Sequence, residues 1–249
     1  MAQTSPLVIA PGYAPNFAGI GVGATPDYFG SSDYKAGAAP GVHLSWGRRY
    51  VDLVGNYLSA NVLDHPHWRA GPALVYRFGR DDVIDEVVNG LPEIDDTTEL
   101  GVFLARVYRP SEDVRDRLRI GGNITYDVGG VHDGYTVGLS VNRWLPVFRY
   151  SAVGLSVATT YGSGNYMDTY FSVTPQGSAT TGLPAYQAGA GLRDVRLSAV
   201  FIQPLSEKFF VGAGVLYDRI LGDAQDSPIV SMRGARDQVL FGVGAGILF

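Results

Sequence analysis

Apolar and polar residues alternate with a period of two along most of the chain, and the last segment shows this most clearly. Its apolar face runs to the final residue, whereas the opposite face carries small residues such as Gly242, Gly244 and Gly246. A period of two is the pattern of a β-strand, whose successive side chains point to opposite faces. The apolar face consists of Val239, Phe241, Val243, Ala245, Ile247 and Phe249.

The same alternation predicts about twelve strands, separated by turn residues. No linker or change in composition divides the sequence, so we expect a single domain over residues 1–249. The predicted strands lie near residues 17–25, 36–46, 50–60, 67–78, 99–109, 115–127, 134–143, 149–161, 165–174, 190–203, 208–220 and 237–249.

Two environments fit such strands: the core of a soluble sandwich and the lipid around a transmembrane barrel. The chain has 33 Gly, 15 Tyr and 11 Phe, and only 17% of its residues are charged. No stretch approaches the ~18 apolar residues of a membrane helix. Aromatic residues gather at the ends of the predicted strands, as in the interfacial girdles of membrane barrels. We therefore predict an all-β, transmembrane antiparallel β-barrel. The aromatic residues are Trp46, Tyr50, Trp68, Tyr76, Tyr126, Tyr135, Trp144 and Tyr150.

We expect both chain termini to lie in the periplasm, with residues 1–16 as an N-terminal periplasmic segment. The start Met1–Thr4 is typical of a mature terminus, which predicts an exported protein whose signal peptide is absent from this sequence. The acidic stretch 79–98 would then be a long periplasmic connection. The predicted outer loops lie near 26–35, 61–66, 110–114, 144–148, 175–189 and 221–236.

Four stretches resemble a known family. They are Pro26–Tyr34, Gly71–Asp81, Tyr166–Thr174 and Leu221–Val230. In this order they are similar to the MltA-interacting protein / OmpV (MipA/OmpV) family. The resemblance implies a barrel in the outer membrane of a Gram-negative bacterium, without a known catalytic centre. Implied partners are outer-membrane lipid and lipopolysaccharide, the barrel-assembly machinery and periplasmic cell-wall enzymes, and family members are also described in adhesion, permeability and stress.

Charged residues on the predicted inner faces are the main candidates for a functional site. A charge in a narrow lumen needs a partner, so they could form a salt-bridge network that stiffens the barrel. They could also form a constriction that selects small polar or anionic solutes. The set comprises Arg69, Arg77, Arg117, Arg119 and Arg196, with Asp127, Asp194 and Asp218 to balance them.

Three smaller motifs complete the candidates. Asp168 and Tyr170 are predicted to form a lumen-facing pair on the ninth strand, and Phe249 is a candidate assembly signal. A short loop motif, which would bind a cation or pack against other loops, contains Asp223, Asp226 and Ser227.

Other chemistry has little support in the sequence. The chain has no Cys and four His, and the His65–His67 pair has no third ligand nearby, so we expect no metal and no cofactor. His132 is predicted to lie in a periplasmic turn, and we expect no enzymatic activity. A net charge of −5 argues against nucleic acid as a partner. Two functions stay open: an envelope scaffold or interaction protein, and a narrow pore.

Overall fold

The computed structural model describes residues 15–249, which form a closed barrel of twelve antiparallel strands. Each strand pairs with the next, and β1 closes the barrel on β12. The predicted segment 1–16 lies outside the described residues except for its last two. The strands are β1 Phe17–Pro26, β2 Tyr34–Trp46, β3 Arg49–Val54, β4 Tyr57–Asn61, β5 Trp68–Arg77, β6 Thr97–Tyr108, β7 Arg117–Asp127, β8 Tyr135–Val147, β9 Ser151–Gly162, β10 Gly191–Pro204, β11 Phe209–Ile220 and β12 Asp237–Leu248.

Five short helices lie in the connections between strands. None within residues 15–249 is long and apolar enough to cross a membrane. The helices are α1 Glu86–Asn89, α2 Gly164–Phe171, α3 Pro175–Thr181, α4 Gly222–Asp226 and α5 Pro228–Ser231.

The barrel is apolar outside and polar inside. Val243, Leu139 and Val102 point outward and are 62%, 59% and 57% exposed. Soluble proteins rarely leave so continuous an apolar surface in contact with water. Thr136, Ser140 and Asn142 alternate with the outward residues of β8 and are buried inside. This arrangement suits a barrel surrounded by lipid, and the predicted fold class is confirmed.

The aromatic girdle is only partly as predicted. Trp46, Trp68, Tyr76, Tyr126, Tyr135 and Tyr150 are exposed on the outside. Tyr50 and Trp144 are instead buried, 4% and 5% exposed. The girdle prediction is wrong for these two residues because position near a strand end does not determine which face a side chain occupies.

Two predicted strands are wrong, and the errors offset each other. The segment predicted as one strand at 50–60 is a hairpin of β3 and β4, which turns at Gly55 with a φ of +58°. The segment predicted as a strand at 165–174 contains helix α2, capped by the side chain of Ser163. The alternation continues across the hairpin and also through the helix, which concealed both features.

The extra hairpin changes which end of the barrel each connection occupies. Connections 78–96 and 221–236 lie at the same end, opposite Phe17 and Leu248, so the prediction that separated them is wrong. We call this the cap end. The predicted loops at 61–66, 110–114 and 144–148 instead fall at the other end with Phe17 and Leu248, which we call the terminal end. The unpredicted strand before residue 61 moves each later connection to the opposite end from the predicted one. The order is restored after 165–174, where the sequence predicted a strand and the structure has none.

Long connections pack together over the cap end. One buried cluster joins four of them through Tyr28, Val88, Val173 and Ile229. A second cluster packs Tyr166, Met167 and Phe171 of α2 against residues of the 221–236 connection. Burial of these apolar side chains stabilises the cap, because the helices are too short to be stable alone.

Candidate functional site

The hydroxyl group of Tyr166 links the cap to the barrel wall. Tyr166 lies on α2 and is fully buried. Its hydroxyl oxygen accepts hydrogen bonds from Arg77 on β5, at 3.3 Å, and from Arg193 on β10. The guanidinium carbons of the same arginines lie 4.9 and 5.5 Å from the centre of its ring. One phenol therefore joins α2 to two separate strands of the barrel.

Glu99 on β6 is the acidic centre beside this phenol. Its carboxylate accepts hydrogen bonds from Arg77 Nε and from the Thr125 hydroxyl, the latter at 2.7 Å. His132 Nδ1 accepts the amide hydrogen of Gly134, so His132 Nε2 carries the ring proton and donates it to Glu99 at 3.0 Å. Sequence analysis missed Glu99 because parity alone did not reveal its partners on other strands.

A second charged group lies on β10 and β11. Arg193 Nε donates to Asp194 at 2.6 Å, and Arg196 donates through Nε and Nη2 to Asp218 at 3.0 and 2.5 Å. Arg196 Nη2 lies 4.0 Å from the other oxygen of Asp194. The register shifts between Leu192 and Asp194, and this bulge turns both Arg193 and Asp194 inward. Strict alternation places Arg193 outside, so it was missed.

Asp127 has a different role from its predicted one. Its carboxylate accepts hydrogen bonds from the Thr97 hydroxyl and from backbone amides of the turn, among them Val131 at 2.8 Å and Asp133 at 3.0 Å. It therefore holds the 128–134 connection in place. The arginine partner predicted for Asp127 is absent among these hydrogen bonds.

Eight polar side chains are buried together inside the barrel below the cap. Of Arg77, Glu99, His132, Tyr166, Arg193, Asp194, Arg196 and Asp218, none is more than 4% exposed. Residues that line a water-filled channel remain accessible to water. These eight side chains therefore pack against one another and do not line an open channel.

The remaining predicted arginines lie toward the terminal end. Arg69 is buried, and its Nη1 donates to the carbonyl oxygens of His65 and Trp68 at 2.6 and 2.7 Å. The guanidinium carbon of Arg119 lies 5.7 Å from the ring of Phe103, and Arg117 is 6% exposed. The predicted charges are thus divided between two levels of the barrel.

The wall formed by β11, β12, β1 and β2 is lined with small residues. Along one row of the register, Gly212 pairs with Gly244, Gly244 with Gly21, and Gly21 with Ala39. A Cβ atom built on Gly21 would meet only two backbone oxygens, at 3.6 and 3.9 Å. Space therefore remains inside the barrel along this wall.

Sequence comparison identifies the family. The family model described as MltA-interacting protein MipA matches residues 18–249. The chain belongs to this family. No curated protein matches the chain.

The fold of this MipA-family barrel has a counterpart among solved structures. The NanC porin superposes with a TM-score of 0.50 at 9% identity, covering 94% of this chain and 100% of its own. An outer membrane channel from Pseudomonas putida F1 gives 0.45 at 13% identity, covering 99% of each chain. The family and the fold place the protein in the outer membrane.

The predicted pair Asp168 and Tyr170 does not face the lumen from a strand. In this MipA-family chain both residues belong to α2, where Asp168 is exposed and accepts a hydrogen bond from the Ser172 hydroxyl at 2.7 Å. The ring of Tyr170 lies 4.9 Å from that of Tyr166. A helix places these side chains on different faces, which strand parity could not anticipate.

The predicted loop motif joins the connections of the cap. Asp223 accepts the Gly189 amide at 2.7 Å, and the buried hydroxyl of Ser227 donates to the Phe171 carbonyl at 2.6 Å. Asp226 is exposed and lies 3.6 Å from Arg236. Among residues 15–249, no group of three His, Cys, Asp or Glu has the arrangement of a metal site.

Asp85 fastens the acidic 78–96 connection to the rest of the cap. Its carboxylate accepts the amides of Val87 and Val88 at 3.0 and 2.9 Å, and Arg233 donates to it at 2.7 Å. Burial alone would raise the pKa of Asp85. The hydrogen bonds from Arg233 and the two amides outweigh that effect and hold the pKa below its usual value.

Proposed function

We propose that this MipA-family barrel is a non-enzymatic interaction protein of the outer membrane, which acts as a scaffold for other envelope proteins. The observation that carries the proposal is the buried network around Tyr166 and Glu99, because charges that are paired with one another out of water favour a structural role over the lining of a passage. The family is named for interaction with MltA. A cell-wall enzyme of that kind is the partner class we propose.

The expected position of the termini decides which surface such a partner would contact. If the termini are periplasmic, the terminal end faces the periplasm, and its longest connection is 109–116. This connection is held by Arg115, which donates to Asp113 at 2.7 Å and to the Ser151 carbonyl at 2.9 Å. We therefore propose the terminal end as the contact surface, in place of the acidic 78–96 connection.

Orientation can be measured directly because the chain has no native cysteine. A membrane-impermeant maleimide added to intact cells should label Glu86→Cys in the 78–96 connection. It should label Glu112→Cys only after the outer membrane is permeabilised. The reverse pattern would move the proposed contact surface to the cap end.

Two measurements test the proposed function itself. Purified protein in planar bilayers should give no reproducible single-channel steps. A photo-crosslinking residue at position 112 should capture purified MltA, whereas the same residue at position 86 should not. Regular conductance steps together with no crosslink from either position would refute the scaffold.

A narrow pore for small polar or anionic solutes is the second candidate, and the small-residue wall around Gly21 favours it. If that wall carries solutes, Gly21→Trp should lower single-channel conductance, because the side chain would occupy the open space. Val22→Trp is the matched control, since Val22 points outward from the same strand and is 55% exposed. Equal effects of the two changes would exclude this route.

A further inference from the structure

Arg106 is a charged residue on the lipid-facing surface of the barrel near its terminal end. It is exposed and follows Val102 and Leu104 on the outward face of β6, and these two apolar residues are 57% and 54% exposed. A charge at this position is costly in hydrocarbon unless it reaches a polar group at the interface.

Two aromatic rings hold the Arg106 guanidinium in place. Its central carbon lies 5.4 Å from the ring centre of Trp68 on the paired strand and 4.9 Å from that of Tyr108. Within residues 15–249, Arg106 forms no ion pair, and its guanidinium contacts these two rings. The donors of the guanidinium thus remain available to an external acceptor.

A polar cleft of about 420 Å³ lies beside this position at the rim of the barrel. His67 and Arg109 line the cleft and are next in sequence to Trp68 and Tyr108. The two segments are hydrogen-bonded to each other, since the Val107 amide donates to the His67 carbonyl at 2.8 Å. Arg48 also lines the cleft and lies 3.2 Å from Asp64. The remaining lining residues are Gly47 and Pro66.

The charges of this region favour an anionic ligand. Arg48 and Asp64 balance each other in the cleft lining, and Arg106 beside it has no carboxylate partner among residues 15–249. A guanidinium can form two parallel hydrogen bonds to a phosphate, and Trp and Tyr prefer the level of lipid headgroups.

We propose that Arg106, Trp68 and Tyr108 form a binding site for the phosphate group of a membrane glycerophospholipid. The headgroup extends into the cleft beside Arg109, and the acyl chains lie along the outward apolar residues of β6. The ligand is a lipid rather than free phosphate because Arg106 is reached from the same surface as Leu104 and Val102.

Lipid binding to the purified, delipidated protein in detergent tests this site. Native mass spectrometry would follow titration with dioleoyl phosphatidylglycerol, and with a digalactosyl diacylglycerol of the same chain length as the phosphate-free lipid. Arg106→Gln should weaken phosphatidylglycerol binding by about tenfold, the effect of losing a charge-assisted hydrogen bond. Arg106→Lys keeps the charge but loses the planar geometry, and should weaken binding by about threefold.

Arg149→Gln is the matched control. Arg149 is exposed at the same end of the barrel, and its guanidinium carbon lies 5.1 Å from the ring of Tyr150. This change should leave affinity within about twofold. Each variant is first checked for the heat-dependent gel shift of a folded barrel. If Arg106→Gln does not fold, the result for Arg106→Lys is the test.

Three outcomes would overturn the proposal. Equal weakening by the changes at Arg106 and Arg149 would indicate a general basic belt. Equal binding of the galactolipid would exclude phosphate recognition. Binding of soluble glycerol phosphate with the same affinity as the lipid would show that the ligand is a free anion.

Discussion

Replacing Glu99 by Gln should destabilise the barrel strongly, because it leaves a buried positive charge without its partner. Glu99 and Arg77 are 0% and 4% exposed, and the carboxylate also accepts hydrogen bonds from Thr125 and His132. Removing one partner of a buried ion pair typically costs about 3–5 kcal/mol. Arg77 keeps its hydrogen bond to the Tyr166 hydroxyl, so we expect the free energy of unfolding to fall by about 3 kcal/mol.

An exposed ion pair provides the matched control. Arg219 and Asp237 are in contact, and their side chains are 38% and 52% exposed. Asp237→Asn should therefore cost no more than about 1 kcal/mol. Both variants would be unfolded with urea in lipid vesicles and followed by tryptophan fluorescence. A loss in Glu99→Gln no greater than that in Asp237→Asn would refute the assignment of a buried pair.

A double variant separates charge pairing from general damage to the interior. Arg77→Gln combined with Glu99→Gln removes both charges and leaves two amides of similar shape. It should lose less stability than the sum of the single changes, with a coupling of about 1–3 kcal/mol. Strict additivity would contradict the pairing.

Three further changes test the cap and the closing strand. Tyr166→Phe removes the acceptor for Arg77 and Arg193 and should lower the free energy of unfolding by about 1–3 kcal/mol. If the phenol alone holds α2 in the barrel, the variant should also conduct in bilayers. A variant with unchanged stability and no conductance would exclude this role. Asp85→Asn should weaken the protection of the 78–96 amides from hydrogen exchange at pH 7. The difference from the unchanged protein should shrink as the pH falls below about 4, because a carboxylate with a lowered pKa stabilises only while it is ionised. A pH-independent difference would contradict that sign. Phe249→Ala should lower outer-membrane yield but not stability after refolding in vitro, since its side chain is 63% exposed; an unchanged yield would exclude an assembly signal.

Parity of side chains predicted the two faces correctly wherever a strand is regular. On β7, Ile120 and Ile124 are exposed outside, and Thr125 and Asp127 are buried inside, as the alternation predicts. Parity failed at Arg193, where a bulge adds a residue to one strand. A bulge depends on the pairing of two strands and leaves no mark in the period of either.

The sequence analysis missed the hairpin and the helix for different reasons. Gly55 followed by Asn56 is a turn signal that the sequence does contain, and the continued alternation around it concealed the turn. Helix α2 is stabilised by burial of Tyr166, Met167 and Phe171 among residues of other connections. That burial overrides the local strand pattern, and no feature of the sequence within 165–174 predicts it.

The sequence by itself determined the barrel, the outward face of its regular strands and the family. Lipid on one side and a polar interior on the other impose a period of two on each strand, independently of its neighbours. Only the tertiary structure decided which charges meet. Glu99 and Arg77 are 22 residues apart, and Arg193 and Tyr166 are 27 apart, because register and closure bring their strands and the cap together. Contacts set by the pairing of distant segments have no local period, so the buried charge network was decided by the fold as a whole.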